Sequence, residues 1–241
     1  MSAVDIVAVP FSALRRGATA ALPLQLATAP FGLIFGALAT QAGLDLTQAM
    51  AMTIVIVAGA SQLAAVQLMA ENAPAWLAIA TGAVVNLRLA MYSASIAPSW
   101  EGATLRTRAI SAFLLHDQAY ALSMRRHVEA PDEGTAARLG FFLGVGLISL
   151  VAWTAGSLAG ALLGARLPEA WALEFAVPIT FIAVLAPLLR DAAHVAAAVT
   201  ASAAALAFAP LPLGSGLIVA AAAGIAAGAT VEGMLARRGA R

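Results

Sequence analysis

The sequence predicts an all-α, polytopic integral membrane helix bundle in which some helices are discontinuous near the bilayer midplane. Three observations carry this. Apolar residues fill 62% of the 241 positions and charged ones only 10%, a balance too apolar to cover a soluble domain with polar surface. About eight apolar segments, at 18–42, 47–70, 75–97, 109–124, 138–164, 170–189, 193–209 and 213–235, follow one another across short connections, and a helix of about 20 residues spans the hydrocarbon core. Breakers and polar residues also fall near the centres of the first four runs. With no room left for a soluble domain, residues 1–241 read as one transmembrane domain. Residues 1–17 form an N-terminal segment and 236–241 a basic tail, both expected in the cytoplasm.

The first 17 residues lack a continuous apolar core, so the first span is expected to be retained, not cleaved. Its centre holds Pro30-Phe31-Gly32. Proline removes a backbone donor and disturbs the preceding turn, so Pro30 reads either as a kink in a packed helix or as part of a site. The second run is interrupted by Ala58-Gly59-Ala60-Ser61-Gln62, and the fourth is short and carries His116-Asp117-Gln118. Either run is a candidate for a broken or re-entrant helix, which lipid tolerates only where protein or a cavity shields the backbone. This gives six to eight crossings.

The third run, Ala75 to Ala97, places Asn86 and Arg88 at its middle. An arginine there costs about 2.5–3.5 kcal/mol on insertion scales and is normally paired. Asp117 is the expected partner. Asn86 and Arg88 lie about 200° apart on a regular helix, so one partner cannot face both unless the helix unwinds. Arg88 shares its face with Tyr92.

Arginine placement sets orientation. Arg15, Arg16, Arg125, Arg126, Arg138, Arg190, Arg237, Arg238 and Arg241 fall on one side when eight segments cross, leaving Arg106 and Arg108 outside with Arg166. If runs two and four are re-entrant, only Arg166 is outside. Both arrangements put both termini inside.

Glycines recur at small-xxx-small spacing: Gly32 and Gly36, Gly140 and Gly144, Gly156, Gly160 and Gly164, and Gly224 and Gly228. They read as packing faces. The absence of cysteine excludes disulfides and thiolate metal sites. Asp191 and His194 read as a helix cap before a metal pair, and no metal constellation, cofactor or nucleic-acid partner is expected. No internal repeat is legible.

Taken together, Pro30-Phe31-Gly32 with Phe35-Gly36, the AGASQ run at 58–62, Asn86-Leu87-Arg88 with Tyr92 and Pro98, and Asp117 with Tyr120-Ala121-Leu122 resemble the AzlC-type family of bacterial branched-chain amino acid exporters. That family is the large subunit of a two-component permease. The resemblance covers roughly 20–125, with FAVPITFIAVLAPLL at 175–189 as a weaker match. It implies a non-enzymatic secondary transporter of the bacterial plasma (inner) membrane that exports leucine, isoleucine, valine or methionine. Coupling to the proton motive force and a short multispanning AzlD-like partner subunit are also implied.

A zwitterion needs donors for its carboxylate, an acceptor for its ammonium and apolar walls. Gly59, Ser61, Gln62 and Asn86 are the candidate carboxylate ligands, Asp117 the ligand for the ammonium or for a transported proton, and Phe31 and Phe35 the walls; Arg88 either binds the carboxylate directly or holds Asp117 ionised. Asp117 and His116 are the proton-coupling candidates. The family commonly has a histidine where this chain has Leu89 and an acidic residue where it has Gln118, which shifts proton carriage here towards Asp117. Two other readings stay open: a structural membrane subunit, and an intramembrane enzyme using His116 and Asp117, although no HExxH or GxSxG signature is present.

Overall fold

The computed structural model describes residues 9–164, 189, 191–211 and 216–239. The regular elements among them are helices: α1 (Phe11–Gln41), α2 (Leu46–Val55), α3 (Gly59–Ala70), α4 (Ala75–Ile96), a 3-10 helix (Ala97–Trp100), α5 (Leu105–Phe113), α6 (Asp117–Glu129), α7 (Thr135–Leu163), α8 (Ala192–Ala207) and α9 (Gly216–Gly239). The expected run at 170–189, with its FAVPITFIAVLAPLL stretch, lies outside the described residues except for Leu189. Among the described residues three helices are long and apolar enough to cross a membrane, Ala75–Trp100, Thr135–Leu163 and Val219–Arg237. α1 is a fourth if its halves, Phe11–Leu26 and Thr28–Gln41, are one span bent by 62°. Pro30 accounts for the place of the bend, because its ring crowds the carbonyl of Leu26 and leaves it without a donor.

The described residues fall into two compact units, one holding the chain up to Gln62 together with Ala83 onward through α7, the other holding Leu63–Gly82 with α8 and α9. In the first unit α1 and α7 lie side by side. Gly144 meets the carbonyl of Leu14, Gly156 that of Ala29, Gly160 that of Leu33, and Gly164 packs on Ala37. Partners advance together along both chains, so the two helices run parallel. Small residues supply this approach where apolar surfaces gain nothing by leaving lipid. The glycines expected to pack therefore do so.

α7 is unbroken over 29 residues, and contacts to it rank the other elements by level. At its N-terminal end, Thr135 donates to the carbonyl of Glu101, just past α4. Glu133, in the preceding loop, pairs with Arg126 of α6 at 2.6 Å and with Arg16 of α1 at 3.1 Å. The hydrogen bond from Arg126, then the charges of Arg126, Arg16 and Arg138, hold the Glu133 carboxyl below the ordinary carboxylate range against the effect of burial. The start of α1, the end of α4 and the end of α6 thus share one end of this unit.

α5 leaves from that same end. Leu114, just after it, packs against Gly146, and Gln118, at the start of α6, reaches Ser149 at the middle of α7. α6 then returns to Glu133. Residues 105–129 therefore enter and leave by one end, which is the re-entrant alternative for the fourth run, and Arg106 and Arg108 join Arg16 and Arg126 there.

α2 approaches from the other end. α1 finishes beside Gly164, Asp45 caps α2 in a capping box with Gln48, and α3 begins at Gly59, against the indole of Trp153. The chain folds back at 56–58, since the Gln62 amide donates to the Met52 carbonyl at 2.8 Å. The two interruptions are related. Thr104 caps α5 as Asp45 caps α2. The buried pairs Ala49/Thr53 and Ser61/Ala65 recur, 58 positions on, as Thr107/Ser111 and Ala119/Ser123. Each interruption thus follows a short capped helix, and the two short helices approach from opposite ends of α7.

In the second unit α8 and α9 run antiparallel, with Gly224 and Gly228 set against Ala193, Ala197 and Ala201. Asp191 caps α8 by accepting from the backbone N–H of Ala193 and His194, as expected.

Two outcomes test this arrangement. Because the chain has no cysteine, single Leu105→Cys and Val128→Cys variants, at positions 83% and 82% exposed, should react with an impermeant maleimide from the same membrane face; labelling from opposite faces refutes re-entry. Gly160→Val should lower stability by about 1–3 kcal/mol or more, as overpacking does, because its Cβ meets the Leu33 backbone, while Gly82→Ala, with open space around it, should leave the unfolding midpoint in detergent unchanged.

Candidate functional site

Four elements place their interruption or their central polar residue at one level of α7. Gln25, beside the bend of α1, donates to Ser149 at 2.9 Å; Gly59 at the start of α3 meets Trp153; Gln118 of α6 shares Ser149 with Gln25; and Arg88 of α4 pairs with Asp117. The common depth read from the sequence is therefore a shared location within the first unit.

The charged centre is Arg88 with Asp117, Nη2 to Oδ2 at 3.1 Å. Tyr92, one turn from Arg88, donates its hydroxyl to Asp117 Oδ1 at 3.1 Å. Its ring stacks on Tyr120 with centroids 4.2 Å apart and planes 9° from parallel, and Tyr120 Oη lies 3.0 Å from Ser95 Oγ. These are the two tyrosines of the chain. Asp117 is the first residue of α6, where unpaired N–H groups favour an anion. The Arg88 side chain is 20% exposed and that of Asp117 47%. The cation is thus packed in place while the carboxylate stays reachable.

α4 stays regular through this region, so Asn86 is not brought to the pair. Its buried Oδ1 has no partner among the described residues. His116 precedes α6 and directs Nδ1 to the Leu114 carbonyl at 2.8 Å, while its Nε2 is buried and unpartnered among the described residues. No group of three or more potential metal ligands gathers among the described residues.

At the α3 tip, Ser61 donates to the Ala58 carbonyl at 2.9 Å, Gln62 is fully buried, and the first turn contains no acidic residue. Phe35 is fully buried and stacks on Trp153 at 6.0 Å. Phe31 is half-buried on α1 and outside this stack.

Sequence reasoning missed Gln25, Ser149 and Trp153. Gln25 Nε2 also donates to Gln118 Oε1 at 3.1 Å, and Thr28 donates to Gln25 Oε1 at 3.2 Å, so Gln118 closes a neutral amide network. Gln25 alone in an apolar run was the available signal. Ser149 and Trp153 are four apart on one face of a helix that otherwise reads as packing.

The profile of the AzlC protein family matches residues 23–167, which hold the pair, both tips and α7. The chain belongs to the AzlC family. It is similar to an uncharacterized membrane protein of Archaeoglobus fulgidus, 36% identical over 215 residues that cover 87% of this chain and 91% of that one. An uncharacterized membrane protein of Helicobacter pylori strain 26695 is 30% identical over 152 residues, 63% and 64% of the two chains. The inner membrane protein YgaZ of Escherichia coli K12 is 25% identical over 175 residues, 70% of each. No solved structure matches. This is accordingly a helical membrane protein of the AzlC family.

Removing one member of a partly buried ion pair strands the other charge, whereas removing both does not. Arg88→Ala and Asp117→Ala should therefore each lower the unfolding midpoint in detergent more than the double variant does. A double variant as low as the two single losses added would mean the pair is not coupled.

Proposed function

We propose that this AzlC protein is a secondary transporter that exports branched-chain or similar small apolar amino acids, coupled to the proton motive force. The observation that supports it best is the Arg88–Asp117 pair set level with two interrupted helices entered from opposite ends. An amino acid carries one carboxylate and one ammonium, so it can take the place of each partner for the other without adding net charge to the membrane interior. Its carboxylate goes to Arg88 and the unpaired N–H groups at Gly59 to Ser61, and its ammonium to Asp117. Tyr92 holds Asp117 in position from the other carboxylate oxygen. A proton arriving at Asp117 removes the charge that retains the ammonium, which is how uptake of a proton drives release. The arginine-rich end, with Arg16, Arg126 and Glu133, faces the cytoplasm on this reading, both termini lie there, and a short multispanning subunit of AzlD type completes the carrier.

The test is efflux of preloaded labelled leucine, valine and methionine from cells that express the chain with and without such a partner. Export should need the partner, and Asp117→Asn and Arg88→Ala should each slow it about tenfold or more. Wild-type rates from either variant, inserted at normal levels, would sink the site assignment.

A further inference from the structure

We propose that Trp153 of α7 is the residue that sets which apolar side chain the carrier accepts. This rests on the transporter reading above. The assignment comes from where the indole sits. It lies against the tip of α3 so closely that a Cβ placed on Gly59 would come within 2.6 Å of its Cη2, and it stacks on the fully buried ring of Phe35. Four residues earlier on the same helix face, Ser149 contacts Gln118, the neighbour of Asp117. Trp153 therefore stands beside one tip and one turn from the other.

A zwitterion whose charged groups engage the two tips has its α-carbon between them. In that pose the indole, with the Phe35 ring stacked on it, is the aromatic surface set against the α3 tip. The side chain of the substrate then lies on the indole, and the volume of residue 153 limits its size. The indole Nε1 is buried with no partner among the described residues, although a buried N–H ordinarily finds an acceptor. A phenylalanine would fill much of the same space without a donor to satisfy. Gly59 belongs to the same fit, because any side chain there displaces the indole.

The experiment compares efflux of preloaded valine, leucine and phenylalanine by the full chain, co-expressed with its partner subunit, for wild type, Trp153→Leu and Trp153→Phe, each at matched membrane levels. Wild type should export valine and leucine in preference to phenylalanine. Trp153→Leu should raise the phenylalanine-to-valine ratio about tenfold, the scale on which apolar pockets discriminate, and Trp153→Phe should move it in the same direction by less. Equal proportional loss for all three amino acids in both variants would make Trp153 a packing residue and overturn the proposal. If Trp153→Leu does not reach the membrane, the ratio in Trp153→Phe decides alone, an unchanged ratio counting against it. Absence of export by the wild type would overturn the transporter reading itself, and this inference with it.

Discussion

The close approach of α1 and α7 is the constraint on which the first unit depends. Lipid gives helices no hydrophobic reason to associate, so two long helices stay together through backbone contact, and glycine at 144, 156, 160 and 164 permits it along the whole interface. A bent helix is thereby held against a straight one. The bend at Leu26–Thr28 can persist because Gln25 and Thr28 turn to Ser149 and to each other instead of to lipid. With α7 fixed, everything that touches it acquires a defined level, including the two helix interruptions.

Those interruptions would be untenable alone. An unwound turn leaves N–H and carbonyl groups without partners, each costly in hydrocarbon. Here the side chains next to each break answer part of that demand: Ser61 and Gln62 bind the Ala58 and Met52 carbonyls, and His116 binds that of Leu114. What remains are the N–H groups at the starts of α3 and α6. At α6 the chain supplies its own anion, Asp117, steadied by Arg88 and Tyr92. At α3 the corresponding position is glycine.

Much of this was legible in the sequence, and the rest was not for identifiable reasons. Hydropathy marked the runs, and the spacing of glycines marked the packing faces, because both are local. The Arg88–Asp117 pair was legible because an unpaired charge at that depth is expensive enough to demand a partner, and few candidates exist. Whether 109–124 spans was not, since α5 and α6 together are long enough to cross and only contacts to Glu133 and Ser149 reveal the return. The likeness of the two interruptions was hidden because it lies in burial, not identity: Ala49 and Thr53 are matched, 58 positions on, by Thr107 and Ser111. Asn86 looked like a site residue by depth, yet the helix stays wound and turns it elsewhere. Gln25, Ser149 and Trp153 carried no charge to betray them.

The two tips share a backbone plan but not their chemistry, and the difference bears on direction. Two interruptions approached from opposite ends give a ligand similar backbone groups on either side, so the backbone alone favours neither. Asp117 and Gly59 break that equivalence. A carboxylate anchored at one tip can hold a cation, while the bare tip opposite favours an anion. On the proposed reading, a zwitterion lying between them has one orientation, with its ammonium towards α6 and its carboxylate towards α3. On the exporter reading proposed above, such an arrangement would recognise the α-amino acid backbone as a unit and leave the side chain to apolar contact with the aromatic residues of α1 and α7.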